Sequence, residues 1–434
     1  WSQVRILCDP PIMLDYLKDL QKSFSINTLL GSLFFFFILA SWYTLRPLRN
    51  ELAVQDIDNI SILLAMVGVT MLMVNYVYSW VASLTNIRWL LVLCYIFLGS
   101  NLLIFMSLDF NSSPWIGRSF YVWCNIYSFF VVAIFWVVMI NLFRGEQSTY
   151  SFGLISLGGT LGAAFGSRLA KLISATFDGS NIDIYAFTTV VLLIIGLLVG
   201  LITINRIRSV AKSPIGGSAS DAFRNLANSK QIQSIAIYMY LFTGLMTIHW
   251  ITSAQIFANW TDDSSKRIAL FADMELAVSL LAGFTQIFLT SFFLRKLGIK
   301  IILFSYGVIF AIVFIVYASA PLVVSAIVIT IFLRVFEYAI NKPAREVVYT
   351  HLKRTQRYKS SVLVDTFFAR FGDFSGSIFL NLFKNFAVTF NFVPLLSIPF
   401  VALISFVGIK VSKIQSEDTK TVSYTHLRAH ETWS

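Results

Sequence analysis

The run Leu29 to Leu45, L-L-G-S-L-F-F-F-F-I-L-A-S-W-Y-T-L, contains no charge, and R-P-L-R-N follows it at Arg46 to Asn50. An apolar stretch of this kind approaches the roughly 20 residues that a helix needs to cross a bilayer. Val131 to Phe143 is a second, nearly continuous apolar run. A membrane barrel would instead show segments of about 10 residues with alternating polarity, so these runs read as helices. Over the 434 residues, 57% are hydrophobic and 13% charged, and mean hydropathy is +0.75. That balance excludes a water-soluble enzyme. The fold class expected is an all-α polytopic membrane protein.

Working outward from the first run, long apolar stretches number twelve, centred near residues 36, 70, 98, 131, 163, 195, 244, 280, 308, 331, 373 and 401. They are numbered here as spans 1 to 12. The longest polar interval, about Arg206 to Gln231, holds Pro214, Gly216 and Gly217 and reads as a linker between two six-helix halves. The expected organisation is a short segment 1–25, a first half 26–205, a linker 206–230, a second half 231–413 and a tail 414–434. Trp1 stands where a start methionine would, so the native start is expected to lie further upstream. A short basic turn at Arg295 to Lys300 sits where Asn86 to Trp89 sits in the first half, a faint sign of a repeat.

Net charge is +11, from 33 Lys+Arg against 22 Asp+Glu. In a membrane protein such an excess reflects cytoplasmic loops and anionic lipid, not nucleic acid. Connections from even to odd spans carry sixteen Lys and Arg, among them Arg88, Arg144, Arg206, Lys300, Lys342 and Lys359, and the remaining connections carry six. Positive residues are retained inside, so both termini are expected in the cytoplasm, with the protein in a bacterial cytoplasmic membrane. Two sixes joined by a basic loop suggest the major-facilitator architecture, with a central pathway between halves.

Charges inside spans cost about 2.5–3.5 kcal/mol each on insertion scales and therefore mark cavities, partners or helix ends. Span 8 carries Asp273 and Glu275, and Glu275, Ser279 and Gln286 share a narrow arc at 100° per residue, which predicts one polar face on the pathway. Span 10 carries Arg334, Glu337 and Asn341 on one stripe, where Arg334 and Glu337 are placed to pair. In span 11, Arg370 and Asp373 follow Asp365, and Asp373 falls about 18 Å into the helix, near mid-membrane. After span 1, Arg46 and Arg49 lie three apart on one face, and arginine forks suit phosphate or carboxylate. The bland alternatives are ion pairs that set helix register and arginines that reach back to the interface. Span 5 places Gly158, Gly162 and Gly166 four apart, a pattern for close helix packing.

Other chemistry is not suggested. No phosphate-binding loop or H-E-x-x-H motif occurs, His249 and His351 stand alone, and Cys8, Cys94 and Cys124 are mutually isolated. Neither metal nor cofactor is expected. An enzyme is disfavoured because no nucleophile and base pair follows from spacing.

The segment Asn341 to Gly376 reads N-K-P-A-R-E-V-V-Y-T-H-L-K-R-T-Q-R-Y-K-S-S-V-L-V-D-T-F-F-A-R-F-G-D-F-S-G. It resembles the ATP/ADP translocase family of bacteria and plastids, a major-facilitator-like group of nucleotide transporters. The family's P-[TA]-[KR]-E run falls on Pro343 to Glu346, its tyrosine on Tyr349, its basic position on Lys359, and its D-x-x-x-x-R-x-G run on Asp365, Arg370 and Gly372. The arginine pair after span 1, Glu146–Gln147 and the glycine block of span 5 agree as well, so the resemblance covers about residues 30 to 400. Arg49 stands where exchangers of ATP for ADP carry a lysine, and Asp373 stands where another lysine is expected. Ser148, Thr149 and Tyr150 replace a basic dipeptide. The chain thus looks like a divergent bacterial branch.

The resemblance implies exchange of nucleotides (ATP/ADP) or another phosphorylated anion; a monomer in the lipid bilayer is expected. Arg46, Arg49, Glu275, Arg334, Glu337, Arg370 and Asp373 are the expected substrate-pathway residues. Lys342, Arg345, Glu346 and Asp365 are the expected charge pairs of a cytoplasmic gate. Two alternatives stand beside it: proton-coupled uptake of another solute through the span carboxylates, and a structural or sensory membrane subunit without flux. The last thirteen residues, V-S-Y-T-H-L-R-A-H-E-T-W-S from Val422 to Ser434, resemble translated adapter read-through and carry no expected role.

Overall fold

A computed structural model describes residues 25–110, 112–143, 146–177, 182–207, 220–349, 363–384 and 390–431. Expectations on Lys353 to Lys359, His351, Cys8 and most of the linker lie outside these residues, as do those on the side chains of Glu146 and Gln147. Among the described residues, twelve long helical stretches occupy the positions of the twelve apolar runs, and no strand occurs. Spans 1 to 6 are Ile26–Gln55, Ile60–Leu84, Ile87–Met106, Pro114–Leu142, Glu146–Thr176 and Ile182–Ile207. Spans 7, 8 and 9 are Lys230–Trp260, Ser264–Phe288 and Gly298–Ser319. Span 10 runs from Val323 to Tyr349, span 11 from Val364 to Lys384, and span 12 begins at Phe392.

Ten of these helices are long and apolar enough to cross a membrane. The other two are spans 5 and 11, whose apolar content is diluted by glycines and by charges such as Arg168, Lys171, Arg370 and Asp373. Large apolar side chains stay exposed along whole faces, for example Val69, Leu72, Met73 and Val77 on span 2 and Ile194, Leu198 and Ile202 on span 6. In water such continuous apolar surface would drive aggregation, whereas lipid solvates it at no cost.

The chain forms two compact units that differ from the two sequence halves by one exchanged segment each. The first comprises Trp1–Glu51, Val77–Ile215 and Ser264–Ser279. The second comprises Leu52–Tyr76, Gly216–Asp263 and Leu280–Ser434. In the first, spans 1 and 5 run parallel in close contact. A Cβ added to Gly158, Gly162 or Gly166 would collide with the backbone of Ser32, Phe36 or Ala40. Thr28 and Ser151 join the same pair of helices by a 2.9 Å hydrogen bond, and Ser32 donates to the Leu154 carbonyl at 3.1 Å. Beneath them, Phe35 stacks on Phe135 and Phe34 meets it edge-on, and Tyr95 donates to the Val131 carbonyl at 2.8 Å. Because the Phe36 backbone cannot give way, Gly162→Ala is expected to overpack this contact by about 1–3 kcal/mol, read as a lowered Tm of the purified protein.

The second unit repeats the device. Gly372 of span 11 abuts the Tyr240 carbonyl and Gly376 abuts Gly244 of span 7, in the same four-residue steps as Gly162 and Gly166 against span 1. Superposing these steps places Trp250 where Arg46 stands and Ala163 where Asp373 stands. The backbone repeats; the charges do not. Gly298, at φ 72°, makes the left-handed turn between the short helix Thr290–Lys296 and span 9. His249 is buried in a neutral cluster, its Nδ1 2.8 Å from the Tyr317 hydroxyl and its Nε2 3.4 Å from Thr330 Oγ1.

Candidate functional site

In the first unit the charges gather where span 1 ends, past Pro47. Arg46 lies six residues, or about 9 Å along the axis, beyond the last glycine contact at Ala40. Its Nε is 3.0 Å from Glu275 Oε1, its Nη1 donates to the Tyr43 hydroxyl at 3.2 Å, and the guanidinium lies over the Tyr43 ring. One turn on, Glu51 accepts a two-pronged pair from Arg267, Nε to Oε2 at 2.8 Å and Nη2 to Oε1 at 2.5 Å. On span 5, Lys171 meets Asp273 at 2.5 Å. Three ion pairs therefore fix Ser264–Ser279, the opening stretch of span 8, between spans 1 and 5. Two of them are removed from solvent: the Glu275 and Glu51 side chains are 1% exposed each.

Arg49 is held differently. Its Nη1 donates to Asn125 Oδ1 at 3.1 Å and its Nη2 to Asn50 Oδ1 at 2.7 Å, and the guanidinium lies over Trp42. Asn125 spends its amide hydrogens on the Tyr121 carbonyl, which turns Oδ1 toward the arginine. Both partners are neutral amides, so no carboxylate balances this cation by direct contact among the described residues. Its Nε is buried without a partner, as is Ser279 Oγ, one turn from Glu275 on the same helix. Arg46 and Glu275 act on Arg49 electrostatically, so the cluster of two guanidiniums and one carboxylate carries one net positive charge.

In the second unit, Asp373 accepts from Arg370 Nη1 at 2.8 Å and from Thr247 Oγ1 at 2.9 Å. The aspartate is 18% exposed and the arginine 35%, so each retains a route to water. Arg370 is thereby neutralised within its own helix.

Span 10 departs from the expected stripe. Glu337 pairs with Arg345 at 2.7 Å, not with Arg334, and also accepts from Asn341 at 2.6 Å and from the Tyr306 hydroxyl at 3.3 Å. Arg345 further covers the Phe242 ring and contacts the Met239 sulfur. The physical reason is a π turn at Glu337–Asn341. At 100° per residue Arg345 would sit about 80° around from Glu337, and the slower π winding brings the two into line. Arg334 instead donates to the Tyr338 hydroxyl at 3.4 Å. The Glu337 cluster is buried between spans 7, 9 and 10. Lys342, Glu346 and Asp365 are exposed and join no ion pair among the described residues. The polar arc of span 8 is divided: Glu275 and Ser279 belong to the first unit, and Gln286 donates to the Tyr338 carbonyl in the second.

Sequence reasoning missed Glu51, Lys171, Arg267, Asn125 and Thr247. Glu51 directly follows R-P-L-R-N and Arg267 is one of the six Lys and Arg of the odd-to-even connections, so their positions are visible in the sequence but their pairing is not. No group of His, Cys, Asp and Glu suited to a metal ion occurs among the described residues.

No family model matches the chain, and a search of curated proteins finds no match either. Solved structures do. The nucleoside transporter NupG superposes with a TM-score of 0.66 at 14% identity, over 89% of this chain and 99% of its own. The POT family transporter PepTSo gives 0.65 at 11% identity, over 90% and 98%. A bacterial homologue of the human lysosomal transporter Spinster, inward-facing and unoccupied, gives 0.61 at 13% identity, over 90% and 97%. At these identities the likeness is one of fold: the chain has an all-α, major-facilitator-like fold whose helices include ten long and apolar enough to cross a membrane.

Proposed function

We propose that this protein is a membrane transporter that moves a phosphorylated organic anion, a nucleotide or a close relative of one, by alternating access and in exchange for a second anion. The observation that carries this reading is Arg49. Arg49 is half-buried, and withdrawing a guanidinium even partly from water costs free energy that neutral amides repay only in part. A cation kept in that condition inside a span is the arrangement expected where an anion visits. Arg46 beside it supplies a second fork, with its Nε in ion-pair range of Glu275. The resemblance at Asn341 to Gly376 adds nucleotides as the substrate class. The charge bias of the loops supports cytoplasmic termini, which puts the end of span 1 that carries Arg46 and Arg49 toward the outside.

On this reading Arg370 and Asp373 line the inner part of the pathway with no net charge. Lys342, Glu346 and Asp365 supply cytoplasmic gate charges, while Glu337, Arg345 and Asn341 brace the helices behind them. The test is uptake of labelled ADP into liposomes that contain the protein and are loaded with ATP. Saturable uptake that disappears when the internal nucleotide is omitted is the expected outcome. A second reading, proton-coupled uptake, is favoured by Asp373, a partly exposed carboxylate inside a span. Uptake that needs no internal nucleotide and follows an imposed pH gradient would replace the first reading with the second.

A further inference from the structure

The proposed function leaves unexplained why a site for an anion contains a buried carboxylate. Glu275 is 1% exposed, lies within a span and faces Arg46 at 3.0 Å. As a register-setting residue it would be expected to hold two helices of one half together. It does something else: it comes from span 8, in the second half of the sequence, and docks on span 1, in the first. Every ion pair of the first unit described above has this character, joining span 1 or span 5 to Ser264–Ser279. Within the second unit, Asn381 donates to Ser61 of the segment Leu52–Tyr76 at 2.7 Å. The three pairs form an electrostatic lock on the start of span 8.

Within that lock the three pairs are not equivalent. Glu51–Arg267 and Lys171–Asp273 involve no residue of the candidate anion site. Arg46–Glu275 does, because Arg46 is the neighbour of Arg49 and Ser279 Oγ lies unpartnered one turn from Glu275. A carboxylate and a phosphate oxygen are interchangeable ligands of a guanidinium fork. We propose that Glu275 is a tethered stand-in for the substrate: it neutralises Arg46 while the site is empty and holds the start of span 8 against spans 1 and 5, and an incoming anion takes its place on Arg46 and releases that segment. An empty carrier would then stay locked, since only an anion supplies the replacement charge, and this makes exchange obligatory. This inference rests on the anion-transport reading above.

The experiment measures the lock without relying on transport. Spin labels are placed at Thr176 and Lys266, exposed positions at the adjoining ends of spans 5 and 8, in a protein whose three cysteines are serine. Their separation is recorded in liposomes with and without ADP. In the parent, a single short separation is expected without ligand, and ADP adds a longer component. Glu275→Gln should show the longer component without ligand and take up ADP without internal nucleotide. The exchanged pair Arg46→Glu with Glu275→Arg guards against misfolding of the single variant and should keep the short separation whether or not ADP is present. A parental separation in Glu275→Gln, or an ADP-induced change in the exchanged pair, would overturn the proposal. Nucleotide exchange by the exchanged pair would instead refute Arg46 as an anion ligand, and with it the reading on which the proposal rests. Failure of Glu275→Gln to lengthen the separation in a parent that exchanges ADP for ATP would sink the stand-in role alone.

Discussion

Replacing Arg49 by alanine is expected to lower nucleotide exchange about 10- to 100-fold at unchanged abundance in the membrane. The estimate takes one charge-assisted contact to the substrate as about 1.5–3 kcal/mol. The fold should survive, because Arg49 is bonded only to Asn125 and Asn50 and forms no ion pair among the described residues whose loss would strand a carboxylate. Arg49→Lys retains the charge and loses the planar fork, so it should fall between the two. Arg46→Ala is a less clean variant, because it leaves Glu275 buried and uncompensated. Wild-type exchange by Arg49→Ala would reject the anion role of the residue on which the functional reading stands.

The second large effect is expected at Asp373. Here the chain carries an acid where the family it resembles carries a lysine, and the acid takes up the charge of Arg370. Asp373→Lys raises the local charge by two units. At about 10 Å and an effective dielectric of about 20 that is roughly 3 kcal/mol for each substrate charge, and screening by water in an open pathway reduces it. A gain of at least about tenfold in apparent ADP affinity is therefore expected, diminishing with added salt. Asp373→Asn separates loss of the carboxylate from gain of the ammonium. Exchange only in the lysine variant would mean that Asp373 is what sets this protein's substrate apart from a nucleotide. Exchange in neither version, with uptake responding to a pH gradient, would assign Asp373 to proton transfer.

Much of the architecture was legible in the apolar runs, because a bilayer imposes nearly the same length on every helix and forbids exposed charge within it. The glycine spacing of span 5 was equally readable, since steps of four define one helix face. Partners of the charges were not. Arg334 and Glu337 share a stripe at ideal winding, and a single π turn was enough to give Glu337 to Arg345 instead. A local change in winding of this kind depends on what packs outside the helix, which spacing does not encode.

What the sequence determined by itself is therefore the positions of the long helices, the all-α class and which residues are costly enough to require an explanation. Those follow from hydrophobicity and period, properties summed along a single segment. Only the tertiary structure decided that Arg46 is engaged by Glu275 while Arg49 has amides alone, that Asp373 neutralises Arg370, and that the start of span 8 lies with spans 1 and 5. Electrostatic pairing acts over a few ångströms between segments more than 200 residues apart, as in Glu51 and Arg267, and packing of the whole chain brings such residues into range.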